Sequence, residues 1–169
     1  MKTVKQNTNY GDLSGQIYNK NHPMYNGDFD ISYYELDSLI GSPKEITEDT
    51  FDCSKNNLKN LVGSPKKVGY FYKCNSNPHL ESLEGGPSEC AIFSCEDCPK
   101  LEDVKGQVIK YGIKAQQYFC NGKNKDFEFK DIEEEFKKAR QNTSVTSKGF
   151  RTLLGLDKWK PLKKQNTET

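Results

Sequence analysis

Phe51-Asp52-Cys53-Ser54-Lys55-Asn56-Asn57-Leu58-Lys59-Asn60-Leu61-Val62-Gly63-Ser64-Pro65 is the unit from which most of the chain is built. Moved forward, it recurs as Tyr72 and Cys74, then Asn77, Leu80, Leu83, Gly85 and Pro87. Moved forward again, Phe93, Cys95, Cys98, Leu101, Val104 and Gly106 fall into the same slots, and backwards Phe29, Ile31, Leu36, Leu39, Gly41 and Pro43 fill them. The glycines at 41, 63, 85 and 106 are 22, 22 and 21 residues apart, and the Ile/Cys positions at 31, 53, 74 and 95 are 22, 21 and 21 apart. Self-similarity at a fixed period near 20 residues is the mark of a solenoid.

Within each unit the first three residues alternate, as in Phe51-Asp52-Cys53. Period two predicts a half-buried strand with the aromatic and the Ile/Cys side chains on one face. The following Leu-x-x-Leu turns a second apolar edge inward, and Gly-x-Pro breaks the chain through positive φ and a missing donor. The fourth unit has Val108 where the others have Pro, which predicts a looser turn, and Tyr118-Phe119-Cys120 reads as a fifth, degenerate coil.

Composition agrees with a thin, repetitive fold. Hydrophobic residues make up 33% of the 169, and 25 basic side chains nearly cancel 24 acidic ones. The excess charge that marks disorder is therefore missing, and a coil that buries only a narrow strip needs few apolar residues. No apolar run approaches the ~18 residues of a membrane span. The first residues, Met1-Lys2-Thr3-Val4-Lys5-Gln6-Asn7, lack the apolar region of a secretory signal, and six cysteines without a signal indicate a reducing compartment. The expected location is the cytoplasm.

The chain divides into three parts. Residues 1–27 show no period and read as an N-terminal cap or a flexible segment, with Asp12 to Tyr18 as a short strand or turn. Residues 28–125 carry the solenoid. Residues 126–169 change texture: Lys130 to Arg140 sets Ile132, Phe136 and Ala139 on one helical stripe, with acidic residues first and basic ones last, as the helix dipole favours. This predicts a helical C-terminal cap that closes the last coil, followed by a second apolar stretch (Phe150, Leu153, Leu154, Leu156, Trp159) and a solvated basic tail.

The repeat resembles the leucine-rich-repeat superfamily and, more narrowly, the repeat arrays of an uncharacterised family of T-even-like bacteriophage proteins with the unit F-x-C-S-x-N-x-L-x-x-L-x-G-x-P. The resemblance covers about half the chain and departs from the pattern at Tyr34 and Cys98, in the Asn slot, and at Val108. It implies an α/β solenoid of leucine-rich-repeat-like parallel-sheet coils, 21–22 residues each. It also implies a protein that binds other macromolecules, as phage factors acting on host machinery do. If phage-encoded, the chain works in the host cell cytoplasm.

Several residues need weighing against chemistry. Cys95-Glu96-Asp97-Cys98 is a C-x-x-C, with Cys90 and Cys120 near in sequence, but no second pair completes a zinc set. Cys53, Cys74 and Cys95 share one core slot, where a thiol serves as a small hydrophobe. Cys90 aligns with Ile46 and Val68. Cys98 takes the slot of Asn56 and Asn77, which in leucine-rich repeats forms a hydrogen-bonded ladder that tolerates Cys. Disulfides between stacked strands would be strained by their parallel Cβ vectors. His22 and His79 lie in loop-like contexts, Glu133-Glu134-Glu135 reads as a solvated helix face, and Gly85-Gly86-Pro87 is a turn without P-loop spacing. The chain is therefore read as a non-enzyme without cofactor or metal.

Two surfaces remain. Arg151, Lys158, Trp159, Lys160, Lys163 and Lys164 combine cations with an aromatic ring, the chemistry of phosphate contact and base stacking. Near-zero net charge argues against nucleic acid as the main partner, because domains that bind it are strongly basic. The other surface is the outward face of the strands. Phe71, Ile92 and Phe119 there are large apolar groups with no reason to face only water, and Asp30, Asp52 and Lys73 flank them. The expected function is recognition of a partner protein through this face. By the resemblance, its most concrete form is a phage factor that binds and inhibits a host enzyme, including a toxin or other defence protein.

Overall fold

The alternation in each unit becomes a very short strand. A computed structural model describes residues 24–25, 27–121 and 124–141. The chain falls into two units, residues 1–133 and 134–169. In the first, β1 (Met24–Tyr25), β2 (Phe29–Asp30), β3 (Glu45–Ile46), β4 (Phe51–Asp52), β5 (Lys67–Val68), β6 (Phe71–Lys73) and β7 (Ile92–Ser94) precede helix α1 (Val104–Tyr111), and β8 (Gln117–Phe119) and β9 (Phe127–Glu128) follow it. They make a parallel β-solenoid of about four turns.

The main sheet runs β2-β4-β6-β7-β8-β9. Its first five strands are parallel, with Phe29 beside Phe51, Phe51 beside Tyr72, Tyr72 beside Phe93 and Phe93 beside Tyr118. The sixth, β9, is antiparallel to β8 and places Phe127 beside Tyr118. Six aromatic rings therefore form one buried column, with successive centroids 6.0, 5.2, 5.3, 6.4 and 4.4 Å apart. Behind it, Leu36, Leu58, Leu80 and Leu101 and then Leu39, Leu61, Leu83 and Val104 are buried slot by slot. Burying one such side chain contributes about 1.5–3 kcal/mol, so these columns, more than the two- and three-residue strands, hold the coils together.

A second sheet was not anticipated from the sequence. Strands β1, β3 and β5 pair in parallel, and single bridges from Lys67 to Glu89 and from Glu89 to Lys114 extend the line. Its inward positions are Ile46, Val68 and Cys90, as their alignment predicts, and Ala115. Its outward positions run Glu45, Lys67, Glu89 and Lys114, a column of alternating charge.

The Gly-x-Pro turn works by close approach. Gly63 and Gly85 adopt φ of +96° and +84°, and a Cβ on either would lie 2.5 Å from the Ile40 amide nitrogen or 2.4 Å from the Val62 Cα of the preceding coil. In the fourth coil the expected looser turn is instead the helix α1. Asp103 caps it by accepting from the Gly106 amide at 3.1 Å, and Gly112 ends it at φ 70°. Gly106 thus keeps its place in the period but has a different role: a Cβ there would strike the Asp103 carboxylate, 2.1 Å away. With Val108 in the slot that holds Pro elsewhere, the segment runs as helix, and Gln107 supplies coil-to-coil bonds by accepting from the Leu83 amide at 2.8 Å and donating to the Glu81 carbonyl at 3.3 Å.

The Asn slot is a ladder. Asn56 donates from Nδ2 to the carbonyls of Ile31 and Cys53, and Asn77 to those of Cys53 and Cys74. Cys98 continues the series with its thiol directed to the Cys74 carbonyl at 3.4 Å. After β9, Phe129–Asp131 form one 3₁₀ turn, Ile132 is buried, and residues 133–141 are helical. Within that helix Lys137 pairs with Glu134 at 3.4 Å and the Arg140 guanidinium lies over the Phe136 ring.

Candidate functional site

Strand alternation leaves the odd-slot side chains on the outer face of the main sheet. The register places Phe71 beside Ile92 and Gln117, and Lys73 beside Ser94 and Phe119. Phe119 is therefore two positions along from the Phe71–Ile92 row rather than in line with it. The two phenyl rings nevertheless meet across β7, stacked with centroids 6.5 Å apart. They meet because the intervening residue is Ser94, which is small and only 1% exposed although it points outward. Phe71, Ile92 and Phe119 are all half-buried.

A polar network fixes the surroundings. Ser94 Oγ donates to Asn75 Oδ1 at 2.7 Å, the same oxygen accepts the Glu96 amide, and Ser54 Oγ accepts the Asn75 amide at 3.1 Å. The Lys73 ammonium sits 4.9 Å from the Phe71 ring centre and 3.9 Å from Asp52. Asp30 and Asp52 are cross-strand neighbours, and each uses Oδ1 to accept the amide two residues on, Ser32 or Ser54. Asp52, Ser54, Phe71, Lys73, Asn75, Ser94 and Glu96 border a shallow depression of about 530 Å³.

One column of residues escaped the sequence reading. Tyr33, Lys55, Ser76 and Asp97 all adopt left-handed backbone, φ 53–63°, at the rim of this depression. Such conformations are strained for residues other than Gly and turn the side chains outward where the strands end. Tyr33 is 68% exposed, and the Lys55 ammonium donates to its hydroxyl. The signal was available in the 22-21-21 spacing of these four positions, but Tyr, Lys, Ser and Asp share no side-chain chemistry that would reveal a common slot. Counted over the face and its rim, Asp28, Asp30, Asp52, Glu96 and Asp97 stand against Lys55 and Lys73.

The thiols sit elsewhere. All six are free and buried, with Cys53, Cys74, Cys95 and Cys120 each directly following one of four successive main-sheet strands. Burial pushes Cys53 and Cys74 well above the usual thiol range, Cys90 to about 12 and Cys98 to about 11. Cys95 is raised by donating to Cys120 and by burial. The same contact with Cys95 lowers Cys120. The five raised thiols stay protonated at neutral pH, where a thiol is a poor nucleophile and a poor metal ligand. Among the described residues no group of three or more His, Cys, Asp or Glu side chains is placed to hold a metal ion. His79 is exposed in its loop; His22, like Arg151, Lys158, Trp159, Lys160, Lys163 and Lys164, lies outside the described residues. Nor is any helix among the described residues long and apolar enough to cross a membrane.

Comparison with family models, with curated proteins and with solved structures finds no match to this chain.

Proposed function

We propose that the chain is a non-enzymatic protein-binding module that engages its partner through the outer face of the main sheet. The observation that carries this reading is the Phe71–Phe119 pair: two half-exposed rings stacked over a small serine, set in a face that is otherwise polar. Interfaces draw most of their energy from a few such aromatic anchors ringed by polar groups. The hydrogen-bonded network beneath holds the anchors in place before binding, which lowers the ordering cost of association.

The Asn ladder and the period of the repeat support a leucine-rich-repeat-like assignment. On that resemblance, the partner is a host enzyme, toxin or defence protein that a phage factor would inhibit. Affinity capture from bacterial host lysate with quantitative mass spectrometry tests the reading, comparing the parent with a Phe71→Ser, Phe119→Ser double variant. Loss of a partner that the parent retains, at a stability cost of about 0.5–1.5 kcal/mol for an aromatic pair, is the expected result. Equal retention by both proteins overturns it, as does a loss above ~4 kcal/mol, the cost of emptying an internal aromatic site.

A further inference from the structure

We infer that the partner segment seated on this face is basic, setting arginine or lysine against Asp30 and Asp52 and a bulky aliphatic side chain against the Phe71–Phe119 pair. The inference rests on the protein-binding reading and adds the chemistry of the partner. Its first support is charge. A chain with formal net charge of only +1 concentrates five carboxylates against two ammonium groups on this face and its rim. Both cations are already engaged: Lys55 with Tyr33, and Lys73 with Asp52 and the Phe71 ring.

The second support is the placing of Asp30 directly beside Asp52. Like charges opposite one another on adjacent strands destabilise a sheet. The local turn accounts for one oxygen of each, and asparagine would serve that turn equally well; the other oxygen of Asp52 faces the Lys73 ammonium at 3.9 Å, a long, half-exposed pair that leaves room for a second cation. Nor does the fold need an acidic residue in this slot, because Lys73 and Ser94 occupy it in the next two coils. A guanidinium bound across Asp30 and Asp52 would turn the repulsion into two charge-assisted contacts.

Spacing sets the partner's pattern. Strands lie ~4.8 Å apart, so Asp52 and Asp30 are about 10 and 14 Å from the strand where the two rings meet. An extended chain advances ~3.3 Å per residue and shows alternate side chains on one side. Cations two and four residues beyond the apolar one, about 7 and 13 Å away, meet these carboxylates, the arginine side chain spanning the remainder.

The test is an amide NMR titration of the full chain with acetyl-Leu-Ser-Arg-Ser-Arg-amide and, separately, acetyl-Leu-Ser-Glu-Ser-Glu-amide. The arginine peptide is expected to shift the amides of Asp30, Asp52, Ser94 and Phe119. Its affinity should fall roughly threefold or more in an Asp30→Asn, Asp52→Asn variant, the scale of one or two exposed ion pairs. Equal or tighter binding of the glutamate peptide on the same amides overturns the charge inference and leaves the docking face standing. Failure of the arginine peptide to move these amides also overturns it, while capture through Phe71 and Phe119 judges the face independently.

Discussion

Replacing Asn56 by Ala tests the internal ladder. The side chain is 2% exposed and makes five hydrogen bonds. Its Oδ1 accepts the Tyr34 and Leu36 amides at 3.1 and 2.9 Å, and its Nδ2 donates to the carbonyls of Ile31, Cys53 and Ser54 at 2.9, 3.0 and 3.2 Å. The Cys53 carbonyl keeps Asn77 as a second donor, at 3.2 Å. The amides of Tyr34 and Leu36 and the Ile31 carbonyl lose this partner inside or at the edge of the core. At about 1–1.5 kcal/mol for each group left unsatisfied, the variant loses about 3–4.5 kcal/mol. Urea unfolding measures it: with a slope of about 2 kcal/mol/M, the midpoint falls by about 1.5–2 M. Asn77→Cys reproduces what Cys98 does naturally and is expected to lose less than Asn77→Ala. A loss below about 1 kcal/mol in Asn56→Ala would refute the argument, since the three groups would then have found other partners without strain.

Gly85→Ala combines a left-handed φ with a Cβ 2.4 Å from the Val62 Cα, and a loss of about 2–3 kcal/mol is expected; thermal melting within error of the parent would contradict the close approach. Alkaline pH should unfold the chain through its thiols. The folded pKa values of Cys53, Cys74, Cys90 and Cys98 are raised, so the stability these thiols contribute is complete below the unfolded value of ~8.5 and is lost as pH rises toward the folded values, at up to about 1.4 kcal/mol per pH unit for each thiol. The urea midpoint is therefore expected to drop steeply between pH 8.5 and 10, and a flat midpoint would count against buried thiols. The same burial predicts that a thiol reagent at pH 8 titrates all six sulfhydryls only after denaturation.

The inward half of each coil could be read from residues alone because its slots repeat a chemical type. Phe29, Phe51, Tyr72 and Phe93 are all aromatic, and Leu58 and Leu80 are the same residue, so period and burial coincide. The outer rim could not, because Tyr33, Lys55, Ser76 and Asp97 share only a backbone conformation, and side-chain pattern does not register φ. The second sheet was missed for a related reason. Glu45-Ile46 and Lys67-Val68 are two residues long, too short for alternation to stand out from a turn. Of the candidate face, the apolar members were found by alternation, whereas the meeting of Phe71 and Phe119 depends on Ser94 being small and on the register of three strands at once.

Coils this alike face an ordering problem as they assemble, since a coil can stack on its second neighbour almost as well as on its first. The column Glu45, Lys67, Glu89, Lys114 discriminates between the two outcomes. Stacked in sequence order, glutamate and lysine alternate along the register; with one coil skipped, Glu45 would face Glu89 or Lys67 would face Lys114. Opposed pairs are worth roughly 0.2–1 kcal/mol either way, and the difference recurs at every junction. The charges on the second sheet thus act as a parity check on the order of the turns, written in residues that the apolar columns leave free to vary.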